Sequence, residues 1–360
     1  MTARGVASSE YMHWVKTASG AKFNLVSSDM LQVPLAMLGM KIDELEINGP
    51  GGYGYIPLNE AIARRYGVAI QQVVPSLGTS MANHIALAAL IQPGDEVLLE
   101  HPTYELLLST IGYLGARVRR FRRLHENRFA VDAEEVRKQM TSSTKLVVLT
   151  NLHNPSSAFT GEEVLREVGS IARGAGARVL IDEVYLDAVF DAPQRSAVHF
   201  GEEFVTTSSL TKVYGLSGLR CGWILAAPEL AERMRRLSDL FHSTHAHPAE
   251  LISVRAFERL DALADRSRLL LKANTELLNA CISTTRGLDA YPHGDGLVAF
   301  PKYLGTDIEA FYVRLRSQYE TTVAPGRFFG LEKHFRIGIG RGTELVGEAL
   351  NRLRAALNDE

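Results

Sequence analysis

The sequence predicts an α/β protein whose mostly parallel central sheet is covered by helices and followed by a smaller α+β domain. Two observations carry this expectation. Apolar runs at 145–150, 178–182, 204–208 and 222–227 alternate with helical stretches such as 162–173, the rhythm that lays helices over a parallel sheet. Beyond a soft boundary near residue 245 the rhythm changes. Residues 248–278 read as helical and charge-rich, and 297–300 and 336–339 as strands around a helix at 308–318. No internal repeat or low-complexity linker interrupts the chain.

In chain order, Leu77-Gly78-Thr79-Ser80-Met81-Ala82 leads into a helix-like stretch at 83–91. Its amides and hydroxyls therefore lie at a helix N-terminus, where the dipole and unpaired N–H groups favour a phosphate. Pro93-Gly94-Asp95 makes a turn, and 96–100 reads as a short strand. The run Val179-Leu-Ile-Asp182 ends in an acid at the carboxyl end of a strand, where open α/β sheets place ligand-facing groups, and Tyr185 follows three residues later. Residues 209–222 place Lys212 and Arg220 around a glycine-rich turn, offering a nucleophilic amine and a planar phosphate clamp, with Ser209 as a short hydroxyl.

Each residue also has an ordinary reading. One lysine among 39 basic residues is usually a solvated charge, an Asp after a strand is often a cap or turn former, and a buried Tyr is more often core. The order of the elements from 78 to 336 changes the balance.

Taken together, Ser209-Leu-Thr-Lys212 with Arg220, Asn151-Leu-His-Asn154-Pro155 and Val179-Leu-Ile-Asp182-Glu-Val-Tyr185 resemble the fold-type I, pyridoxal phosphate (PLP)-dependent aminotransferases of class I/II, the aspartate aminotransferase superfamily. PLP needs an amine to hold it as a Schiff base, a carboxylate to keep its pyridine nitrogen protonated, and a cradle for its phosphate. The resemblance assigns the first task to Lys212, which then carries the substrate α-proton, and the second to Asp182. Thr79, Ser80, Ser209 and Arg220 become the phosphate contacts. Tyr104, in His101-Pro102-Thr103-Tyr104, becomes the stacking ring, and Tyr185 and Asn154 the partners of the phenolic oxygen. Arg336, after Ala324-Pro325-Gly326 and within Phe335-Arg336-Ile337-Gly338, becomes the bidentate clamp on the substrate α-carboxylate, with Asn154 and Ser28 also at the substrate. The implied protein is a homodimer with shared sites, acting on an amino acid and a 2-oxo acid. Its implied parts are an N-terminal segment at 1–45 packed with the small domain, a large PLP-binding domain at 46–245 and the small domain at 246–360.

Departures from the family pattern qualify this picture. The usual Asn-Pro-Thr-Gly turn reads Asn154-Pro155-Ser156-Ser157, replacing a glycine by a residue with a Cβ. Gly49 stands where relatives carry a tyrosine that reaches the partner's phosphate, leaving Tyr53 and Tyr55 as candidates; Leu58-Asn59 replaces Leu-Arg. The substrate loop reads Leu25-Val-Ser-Ser28-Asp29, so specificity should differ from that of the aspartate enzymes. This loop keeps open a PLP-dependent lyase, decarboxylase or cyclase. A PLP-sensing, non-catalytic module is the remaining alternative; no helix-turn-helix stretch accompanies it.

Composition agrees with a cytoplasmic globular enzyme: 46% hydrophobic and 22% charged residues are ordinary values, and a net charge of −2 argues against nucleic acid as a partner. No apolar run approaches the roughly 20 residues that span a bilayer, and Met1-Thr-Ala-Arg-Gly-Val-Ala lacks a signal-peptide core. Cys221 and Cys281 form no metal or redox spacing. His242, His245 and His247 have no Cys or carboxylate at ligand spacing, so an exposed or interface loop is expected there and no metal; a histidine meeting substrate is the alternative.

Overall fold

In the computed structural model, which describes residues 8–192 and 194–359, seven strands build the central sheet. They are β1 (Val73–Leu77), β2 (Glu96–His101), β3 (Arg117–Arg122), β4 (Thr144–Thr150), β5 (Arg178–Asp182), β6 (Phe204–Ser209) and β7 (Cys221–Leu225). Their spatial order is β1-β7-β6-β5-β4-β2-β3. Neighbours run parallel except at β7, which is antiparallel to both β1 and β6. The stretch Met1-Thr-Ala-Arg-Gly-Val-Ala lies outside the described residues.

The two strands absent from the sequence reading, β1 and β3, are the sheet's edges. Pro75 sits in β1, tolerated because an edge strand need not donate on both sides. The β3 strand, Arg-Val-Arg-Arg-Phe-Arg, carries the cations that blunt an edge against further pairing.

Interior strands are apolar on both faces. Val148 joins Leu99, Leu180, Val205 and Ile224 on one side, whereas Val147 and Leu149 join Leu98, Phe121, Val179 and Ile181 on the other. Successive side chains point to opposite faces, and helices cover both, each buried Val, Leu or Ile contributing about 1.5–3 kcal/mol.

The helix expected at 83–91 instead begins at Gly78 and runs to Leu90, so Thr79 and Ser80 occupy its first turn. Ser157 adopts φ +61°, the left-handed conformation that glycine adopts freely. Its hydroxyl donates to Val298 O at 2.7 Å, so the non-glycine turn also ties to the later part of the chain.

Beyond the sheet, helices His247–Glu258 and Leu260–Thr284 lead to short strands, with Phe335–Gly338 between Val298–Ala299 and Ala324–Pro325. Near the N-terminus, Phe23–Asn24 pairs in parallel with Thr321–Thr322, tying the two ends of the chain together. Among the described residues no helix is long and apolar enough to cross a membrane.

Candidate active site

The carboxyl ends of the central strands open into a cavity of about 580 Å³, where open α/β sheets characteristically bind ligands. Lys212, Asp182, Tyr185, Asn154, Tyr104, Thr79, Ser80, Arg220 and Ser28 all line it. Ser209 and Arg336 do not. Ser209 stands behind Thr79, accepting from its hydroxyl at 2.7 Å and lying 2.6 Å from Thr211 Oγ1. Arg336 lies behind two lining residues, donating to Asn154 Oδ1 at 2.8 Å and to Tyr11 Oη at 2.6 Å.

Asp182 ends β5 with only 4% exposure. Asn83, on the helix from Gly78, donates to Asp182 Oδ2 at 2.8 Å, and Val184 N–H donates to Oδ1 at 3.1 Å. Burial nevertheless dominates and pushes the carboxyl up to about 6, because a buried charge loses hydration that two neutral donors only partly replace.

Lys212 pairs with Asp29 and donates to Ser28 Oγ at 3.3 Å. Burial is the largest single influence and lowers the ammonium, but the Asp29 carboxylate together with the Tyr185 and Tyr104 phenols offsets it and holds Lys212 above the ordinary lysine range. Tyr104 and Tyr185 face the same amine, and burial raises both phenols. The buried Tyr185 hydroxyl makes no hydrogen bond of ordinary geometry among the described residues.

Two arginines flank these groups, Arg220 and Arg336. At the first, Arg220 has φ +50° and reaches Leu77 O at 3.4 Å, crossing Gly78 closely enough that a Cβ there would lie 2.3 Å from its guanidinium. Glycine at 78 thus permits the helix N-terminus and the arginine to share one cradle. At the second, Arg336 is 1% exposed and lies over the Phe329 ring at 4.9 Å. A Cβ at Gly338 would sit 1.7 Å from Ser27 O, so that glycine lets the Ser27–Asp29 loop close onto the Arg336 strand.

Behind Asn154, Glu100 and Arg123 form a fully buried ion pair at 2.7 Å. Glu100 also accepts from Thr150 N–H and hydroxyl, and Thr150 Oγ1 accepts from Asn154 N–H at 2.9 Å. The network anchors the turn that presents Asn154.

The sequence reading does not single out Asp29, Tyr11 or Asn83. Asn83 has a recoverable signal, lying four residues after Thr79 on one helix face. Asp29 belongs to the altered loop. Tyr11 has no local signature. Tyr53 and Tyr55 do not line this cavity; the Tyr53 hydroxyl donates to Asp239 and Tyr55 packs edge-on against His247. His242 and His245 line a small separate depression. His247 lies 3.7 Å from Glu46, and no group of three metal-ligating side chains suited to an ion occurs among the described residues.

A buried carboxylate, an amine and a glycine-dependent anion cradle in one cavity, with a buried phenol beside them, fit PLP. Comparison with known proteins agrees. The family described as aminotransferase class I and II matches residues 38–353. A capreomycidine synthase of Streptomyces vinaceus is 28% identical over 345 residues, covering 92% of this chain and 89% of that protein. An arginine–pyruvate transaminase of Pseudomonas aeruginosa is 28% identical over 302 residues, covering 81% and 76% respectively. A PLP-dependent aminotransferase of Streptococcus suis superposes with a TM-score of 0.90 at 24% identity over 97% of each chain. With a matched region that takes in the whole central sheet, the chain belongs to the class I and II aminotransferases, a PLP-dependent family of fold type I within the aspartate aminotransferase superfamily.

Proposed function

We propose that this protein transfers an amino group between an α-amino acid and a 2-oxo acid, with Lys212 as its catalytic residue. One observation carries the reading: the Lys212 amine opens into the cavity that also presents Asp182, Tyr185 and the Gly78–Arg220 cradle. When bound, PLP supplies the electron sink that lets the substrate α-proton leave.

In this reading Asp182 holds the pyridine proton, Tyr104 stacks on the ring, and Tyr185 and Asn154 donate to its phenolic oxygen. Thr79, Ser80 and Arg220 hold the phosphate, with Ser209 supporting Thr79 from behind. Arg336 binds the α-carboxylate and orients the α-carbon toward Lys212 Nζ, which takes the proton and returns it at the end of the transfer. Ser28 walls the substrate side. We also read residues 46–245 and 246–360 as large and small domains, with the N-terminal segment at 1–45 packed on the latter. The exposed Ile42 and Ile47 support a homodimer whose second copy covers the stretch around residues 42–47.

A second reading keeps the same residues but directs the substrate to elimination, decarboxylation or cyclisation. The relation to a capreomycidine synthase across 92% of the chain favours it. Incubation with a panel of amino acids, with and without a 2-oxo acid acceptor, separates the two. Acceptor-dependent appearance of a new amino acid supports transfer; acceptor-independent loss of carbon dioxide, release of a side-chain group or ring formation rejects it.

A further inference from the structure

We infer that Asp29 is a positioning residue for Lys212, keeping the Lys212 nitrogen protonated and facing the cavity when it is joined to the cofactor. The inference rests on the assignment of Lys212 proposed above.

The pair is built by the backbone as well as by the two side chains. Met30 N–H, next to Asp29, donates to Lys212 O at 3.0 Å, and Gly338 N–H donates to Leu25 O at 2.7 Å, fixing both ends of the loop. The Asp29 N–H is itself turned toward Ser27 Oγ at 3.3 Å. Lys212 and Asp29 side chains are 28% and 35% exposed, so the pair borders the cavity and is not sealed in the core.

The other groups acting on the Lys212 nitrogen come from two directions. Tyr104 precedes the helix Glu105–Tyr113, and Tyr185 and Asp182 come from the end of β5. Burial disfavours the phenolate form of both tyrosines, and Asp182 is committed to Asn83 and Val184. Arg336, from the strand Phe335–Gly338, acts on the Tyr104 and Tyr185 phenols and is turned toward Tyr11, Asn154 and Val26. Asp29 is therefore the carboxylate in direct contact with Nζ. An opposite charge at that range favours the protonated form of a basic nitrogen by about 1–3 pH units. A protonated nitrogen also makes the carbon attached to it a better target for an incoming amine.

The test is a pH titration of the visible band of the PLP-loaded full-length protein, for the wild type, Asp29→Asn and Asp29→Glu. The expected midpoint in Asp29→Asn falls by about 1–3 pH units, while Asp29→Glu stays within ~0.5 of the wild type. An Asp29→Asn midpoint within ~0.5 unit of the wild type overturns the inference. Should Asp29→Asn fail to retain PLP, Asp29→Glu decides: a wild-type midpoint supports the role, and a midpoint lowered by ~1 unit or more rejects it. Borohydride reduction and peptide mass measurement keep the two readings apart. No cofactor mass on the Lys212 peptide removes the Lys212 assignment and this inference with it. A normal mass addition with an unmoved Asp29→Asn midpoint removes the inference alone.

Discussion

Asn83 donates to Asp182 Oδ2 at 2.8 Å while its own amide oxygen accepts from the Thr207 hydroxyl at 2.6 Å, so a neutral chain of hydrogen bonds holds the buried carboxylate. A neutral donor orients the acid without neutralising it. Its charge remains available to a cationic partner.

That arrangement has a cost in stability. Burial raises Asp182 from 3.8 to about 6, so between those values the folded state binds more protons than the unfolded chain and stability falls as pH rises. At ~1.4 kcal/mol per pH unit the loss is on the order of 2–3 kcal/mol above pH 6. Asp182→Asn should therefore stabilise the cofactor-free protein at pH 8 relative to the wild type while weakening PLP retention and slowing turnover. Urea denaturation at pH 4 and pH 8 measures the first effect; the same pH dependence in both proteins would show that Asp182 carries no buried charge.

For Lys212→Ala the expected outcome is loss of the visible cofactor band and a fall in turnover of ~10³-fold or more, in line with general acid–base contributions of about 10²–10⁴. Circular dichroism should be unchanged because the side chain borders the cavity. Retention of the band after replacement would place the cofactor on another amine.

Arg336 and Tyr11 should separate substrate recognition from cofactor binding. Tyr11→Phe removes the hydroxyl that accepts from Arg336, and loss of a charge-assisted bond worth about 1.5 kcal/mol corresponds to roughly a tenfold rise in KM. Arg336→Lys loses the planar fork and should raise KM further, with PLP retention intact and a similar loss for every amino donor. A loss confined to acidic donors would reassign Arg336 to the substrate side chain.

Gly78→Ala tests the cradle. The residue has φ +77°, and its new methyl would lie 2.3 Å from the Arg220 guanidinium. The left-handed backbone costs an L-residue about 1–2 kcal/mol, and Arg220 must also move. Equilibrium dialysis should show PLP affinity reduced about tenfold or more, whereas unchanged affinity would mean that Arg220 does not hold the phosphate.

The sequence alone determines the alternation of strands and helices and the placement of Asp182 at a strand end, because these follow from side-chain periodicity and short-range turn chemistry. It does not expose the edge strands so readily. Pro75 in β1 and the arginines of β3 oppose the apolar pattern, and only their lateral pairing makes them strands. The tertiary structure alone decides which distant side chains share the cavity. Asn83 meets Asp182 across 99 residues, Asp29 meets Lys212 across 183, and Tyr11 meets Arg336 across 325. Local propensity carries no information about such pairs. They form because sheet order, the Phe23–Asn24 pairing with Thr321–Thr322, and close backbone approach at Gly338 bring the ends of the chain to one place.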